Sequence, residues 1–162
     1  FSACTSCRHY ATLLEAARLL SPGTPPLHIA CKAADIQGIA IPPKKNVQLR
    51  HNLWGPPYRK HLAGSALVVV PLALLPVSAG QLVFLQAMSA GRPIIATRTP
   101  TSCEFLDDTC AWLVPPGDPP ALVRPHGEAW AHPALARQKS AAARKRFIAR
   151  HSPDAIAAVL PG

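Results

Sequence analysis

Ala66-Leu67-Val68-Val69-Val70-Pro71 is an uninterrupted apolar run, rich in β-branched residues, inside a stretch without charge: no Asp, Glu, Lys or Arg lies between Lys60 and Arg92. A strand that is apolar at every position has no face to show to water, so it belongs in a parallel sheet covered on both sides. A membrane span is the competing reading. Pro71, Pro76, Ser78, Gly80 and Gln81 interrupt the stretch, and its continuous apolar part falls short of the ~20 residues that a spanning helix needs.

The segments around this run alternate in period. Tyr10 to Leu20 carries Leu13, Leu14, Ala17 and Leu20 at helical spacing and ends at Ser21-Pro22-Gly23, which predicts a helix. Short strands are predicted over Leu27 to Cys31 and Asn46 to Arg50, with an irregular, proline-containing segment between them. A helix is expected over Pro57 to Ser65, then the central strand, then a loop from Leu72 to Ala79 and a helix from Gly80 to Ala90. Pro93 to Thr97 reads as another strand, Ser102 to Leu106 as a short helical turn and Cys110 to Val114 as the last strand.

Asp118 is expected to cap a helix that begins at Pro119, because a carboxylate accepts the free amides and proline lacks only a donor that is unused there. Pro125 and Gly127 are expected to end that helix early. Pro133 to Arg150 predicts a longer helix with Leu135, Ala142, Phe147 and Ile148 on its buried side. Strands alternating with helices through short links imply an α/β fold: a Rossmann-like parallel sheet with helices on both faces.

The chain's 162 residues fit one domain over 1–162, with a basic helical segment over 133–160. The balance of 49% hydrophobic and 15% charged residues excludes a disordered chain. Its 19 prolines fall mainly between apolar runs and punctuate turns. Five cysteines, an odd number, with no leader pattern at Phe1-Ser2-Ala3-Cys4, point to a reducing, cytoplasmic compartment. Cys4-Thr5-Ser6-Cys7 has redox spacing, but no second pair or H-x3-H completes a zinc site, and two small residues in a strand-to-helix turn explain it as well. The 7 histidines are scattered without ligand spacing.

The net charge of +9 draws anions of several classes. Much of it sits on Arg137, Lys139, Arg144, Lys145, Arg146 and Arg150. No recognition motif or aromatic platform accompanies these cations, so nucleic acid is not the expected partner; an anionic membrane surface is the better match. Ligands of an open parallel sheet sit beyond the carboxyl ends of its strands. Ser78-Ala79-Gly80-Gln81 follows the central strand there and opens a helix, offering a hydroxyl, two small residues and a side-chain amide at the helix's positive end. That arrangement suits a diphosphate.

Leu85-Gln86-Ala87-Met88-Ser89-Ala90-Gly91-Arg92-Pro93-Ile94-Ile95-Ala96-Thr97, followed by Leu113-Val114-Pro115-Pro116-Gly117-Asp118-Pro119, resembles the carboxyl-terminal domain of retaining glycosyltransferases of the GT-B fold, glycosyltransferase group 1. The likeness extends from Ser2 to Phe147 and is strongest from Val68 to Asp118. It implies one half of a two-domain hexosyltransferase-type enzyme: this half binds a nucleotide-diphosphate sugar, without a metal, and an amino-terminal domain outside this chain carries the acceptor. By position it implies that Ser78, Ala79, Gly80 and Gln81 hold phosphate oxygens, that Arg8 is a basic diphosphate ligand and that Gln86 faces the ribose hydroxyls. It also allows peripheral attachment to the inner face of a membrane.

The chain departs from the family pattern in several places. Ser78 and Gln86 stand where the family usually has glutamates, so any bond to a ribose is made without charge. Cys4 and Thr5 replace a glycine and an arginine. No acid lies between Asp35 and Glu104, so this half supplies no evident general base. Three readings follow: a donor-binding half of a transferase, a non-catalytic or degenerate nucleotide-sugar binder, and a basic module for anionic surfaces. Trp54, after a predicted strand, reads as a residue near the nucleotide base or, more readily, as a buried or domain-interface tryptophan.

Overall fold

A computed structural model describes residues 1–3, 9–43, 47–51, 53–75 and 78–158. The elements are β1 (Ser2–Ala3), α1 (Tyr10–Leu19), β2 (Leu27–Ala30), a 3-10 turn (Ala33–Ile36), β3 (Val47–Arg50), α2 (Gly55–Gly64), β4 (Val68–Val70), α3 (Gln81–Ser89), β5 (Ile94–Thr97), α4 (Pro100–Phe105), β6 (Trp112–Val114), α5 (Pro119–Ala131), α6 (Pro133–Arg150) and α7 (Pro153–Ala157). All strand pairs are parallel, in two ladders ordered β1-β2-β3 and β4-β5-β6. Phe1 joins them. Its nitrogen donates to the Leu67 carbonyl and its carbonyl accepts from the Val69 amide, both at 2.8 Å. The spatial order is therefore β3-β2-β1-β4-β5-β6, the doubly wound arrangement.

The central run owes its composition to this order. Val69 and Ile95 enter one apolar layer with Leu13 and Leu14 of α1 and Leu122 of α5. Val68, Val70, Ile94 and Ala96 enter the other with Phe84, Ala87 and Met88 of α3. Successive strand residues point to opposite faces, and here both faces are covered, so no position in β4 can be polar. Each large side chain taken fully out of water contributes roughly 1.5–3 kcal/mol.

α6 ties the layers together: Ala136 packs in the first and Ala143 in the second, so the helix passes over the β6 edge. Lys139 lies between them, donating to the carbonyls of Asp108 and of Ala111, the latter at 3.2 Å, with Nζ 5.2 Å from the centre of the Trp112 ring. A lysine over an edge strand blocks pairing with another chain.

Two expectations are corrected. α5 does not stop at Pro125 or Gly127 but continues to Ala131. Pro125 cannot donate to the Ala121 carbonyl, yet Ala121, Leu122 and Pro125 are all buried and α5 packs along α1 and α6; packing on both sides of the proline outweighs one lost bond. Ile148 is not on the buried side of α6. It is 57% exposed, because the helix buries Ala136, Ser140 and Ala143 and turns Ile148 outward.

Candidate functional site

β4 ends at the carboxyl edge of the sheet, and two neighbours pin its exit. The Leu72 amide donates to Thr97 Oγ1 at the end of β5, at 2.9 Å. The Pro71 carbonyl accepts from the His9 amide at 2.8 Å, which fastens the start of α1 beside the same strand end. α3 begins across from it. Its N-cap is Gly80, in the left-handed region at φ 94° and ψ −16°.

Helix starts at this edge differ in how they are closed. α4 is capped by the Thr99 hydroxyl and α5 by the Asp118 carboxylate, the latter as the sequence predicts. α2 has Pro56 and Pro57 in its first turn and so lacks two of the amides that would need a partner. α1 and α3 have no side-chain cap at His9 or Gly80. The starts of two helices without a side-chain cap, each with the positive end of its dipole, therefore flank the β4 exit.

Ser78 is exposed, with Ala79 and Gly80 half-buried. The Ser78 hydroxyl is 3.3 Å from Thr101 Oγ1 and accepts from the Gln81 side-chain amide. Ser78 and Ala79 line a cleft of about 220 Å³ with Leu72, Ala73, Leu75, Thr99, Pro100 and Thr101. Gly80 is required by the protein interior rather than by ligand approach. A Cβ at this position would lie 2.8 Å from Phe84 Cζ and 3.3 Å from Leu72 Cδ1.

Gln86 lies elsewhere. It accepts a 3.0 Å hydrogen bond from the Tyr58 hydroxyl and lines a separate groove of about 360 Å³ between α2 and α3. Arg8 and the Cys4–Cys7 pair fall outside the described residues. Arg98, the described cation just past β5, is bonded to both carboxylate oxygens of Asp108 at 2.9 and 3.0 Å, which raises its pKa. Glu104 and Trp54 are exposed. Among the described residues no group of three His, Cys, Asp or Glu is placed to hold a metal, and no helix is long and apolar enough to cross a membrane.

The start of α3 is the one the sequence singles out; the start of α1 beside it was missed, and its signal is local: position 9 holds no Ser, Thr, Asp or Asn.

Residues 8–129 match the Glycosyl transferases group 1 family. The chain belongs to that family. Comparison with curated protein sequences finds no significant match. Among solved structures, the group 1 chain is similar to a glycosyltransferase from Rickettsia africae (TM-score 0.77, 15% identity), covering 96% of this chain and 44% of that one. It is similar to the Anabaena protein HepE in complex with UDP (TM-score 0.73, 14% identity), covering 91% of this chain and 44% of that one. The C-terminal domain of a group 1 protein, LpcC from Francisella tularensis, superposes with a TM-score of 0.71 at 14% identity, covering 94% of this chain and 84% of that one. This chain therefore has the fold of the carboxyl-terminal half of GT-B glycosyltransferases and spans less than half the length of the longer relatives.

Proposed function

We propose that this domain binds a nucleotide-diphosphate sugar, with the diphosphate at the start of α3 and the nucleoside extending toward α2. The observation that carries this reading is the start of α3 at Gly80, which has no side-chain cap and stands beside the β4 exit. Oriented amides in that setting neutralise phosphate oxygens without a metal. In this reading the Ser78 hydroxyl and the amides from Gly80 and Gln81 hold the diphosphate, Arg8 adds a cation, and the Gln86 carboxamide donates to the ribose. Gln86 stands about two turns along α3 from Gly80, so a nucleoside laid along the helix reaches it. The UDP held by the Anabaena relative supports a uridine diphosphate sugar as the first donor to try.

In the complete protein, a second domain would hold an acceptor against this cleft. The anomeric carbon–oxygen bond to the diphosphate would break and a glycosidic bond to the acceptor would form, with retention. Exposed Leu74 and Leu75, 66% and 50% accessible beside the cleft, offer apolar surface for such a domain to cover. Donor binding is the part of this reading assigned to the present chain, since Ser78 and Gln86 replace the family's glutamates.

Ligand-observed NMR with uridine and guanosine diphosphate sugars tests it. Binding that weakens in Arg8→Ala and Ser78→Ala supports the assignment; no saturation transfer at millimolar ligand removes it.

A further inference from the structure

α2 and α3 pack side by side, and a side-chain hydrogen bond crosses between them. The Tyr58 hydroxyl donates to Gln86 Oε1 at 3.0 Å. Tyr58 is held firmly for this. Pro56 and Pro57 fix the backbone just before it in the first turn of α2. Its ring meets the buried Phe1 ring at an angle of 62° with centroids 5.7 Å apart, and Leu62, one turn further along α2, is buried.

Gln86 is half-buried, at the border between the covered face of α3, where Val83 and Ala87 lie, and its open face. A glutamine in that position samples several rotamers when nothing restrains it. The bond to Tyr58 selects one in which Oε1 faces α2, and the Nε2 protons have no partner among the described residues. Leu62, Leu82 and Leu85 make the walls of the adjoining groove largely aliphatic. An amide N–H in such a wall gains more from a ligand oxygen than it would in open water.

We infer that Tyr58 is a positioning residue for the ribose of the donor: by holding Gln86 Oε1 it presents the Nε2 protons to a ribose hydroxyl oxygen. This rests on the donor-binding reading above and adds to it a residue that acts through another. A carboxylate at position 86 would accept from ribose hydroxyls. The Tyr58–Gln86 pair donates to them instead, and its rotamer is settled before the ligand arrives, which removes part of the ordering cost of binding.

The test is NMR titration of the whole chain with uridine diphosphate and with its 2′,3′-dideoxy analogue. A neutral hydrogen bond to the ribose should make the analogue bind roughly fivefold more weakly. Tyr58→Phe keeps the ring beside Phe1 and removes the hydroxyl. It should weaken uridine diphosphate roughly threefold and leave the analogue unchanged, bringing the two within about twofold of each other. Gln86→Leu should abolish the difference. A tyrosine with a purely structural role would move both ligands alike, so equal losses overturn the inference. It is also overturned if the wild-type chain binds the two ligands equally, or if Tyr58→Phe discriminates as the wild type does. In each of these cases uridine diphosphate still binds and the donor-binding reading stands; failure of the wild-type chain to bind it at millimolar concentration removes both. Thermal unfolding confirms that the two variants keep the fold.

Discussion

The missing side chain of Gly80 faces Phe84. A Cβ at position 80 would stand 2.8 Å from Cζ and 3.0 Å from Cε2 of a phenyl ring that is completely buried, so the glycine that opens α3 is held in place by the core one helical turn later. Its left-handed φ of 94° adds a second reason.

Gly80→Ala should therefore destabilise the domain by about 2–5 kcal/mol, combining left-handed strain with overpacking. Urea denaturation measures the loss. Phe84→Leu removes the obstructing ring atoms, so the two substitutions together should cost less than the sum of their separate costs; strict additivity would sink the steric account.

Pro125→Ala should stabilise. It restores one hydrogen bond to the Ala121 carbonyl and relieves the ring's clash inside α5, worth about 3 kcal/mol in a helix interior. Loss of the buried ring subtracts part of that, leaving about 1–2 kcal/mol. A melting temperature that falls instead would mean that the ring's packing outweighs the helix defect.

Lys139→Met keeps the aliphatic stem but removes the bonds to the Asp108 and Ala111 carbonyls and the cation over Trp112. The expected cost is about 1–3 kcal/mol. Exposing the β6 edge should also raise association at high concentration, visible by light scattering.

Acid should weaken the tie between α6 and the segment after α4. The Thr109 hydroxyl, followed by the Arg146 guanidinium, holds the Asp107 carboxyl far below its usual range. The folded pKa is lowered, so this contribution is complete above the ordinary aspartate value of about 4 and is lost as pH falls below it. Asp107→Asn should flatten that part of the stability-against-pH curve. A wild-type curve unchanged by the substitution would show that the pair adds nothing.

The sequence by itself determined the α/β alternation, the parallel sheet, the family and the identity of the segment at the carboxyl edge. Those follow from local periodicity, from turn residues such as Asp118 with Pro119, and from the apolar run of β4, whose composition already implies two covered faces. Tertiary structure decided what depends on helix rotation and on contacts between distant segments. It set Gln86 beside Tyr58 and away from the Ser78 cleft, turned Ile148 to solvent, carried α5 through Pro125 and aimed Gly80 at Phe84. Each of these outcomes is chosen by the packing of a whole helix against its layer. A single side chain's preference is worth about a kilocalorie per mole, less than the burial it must follow.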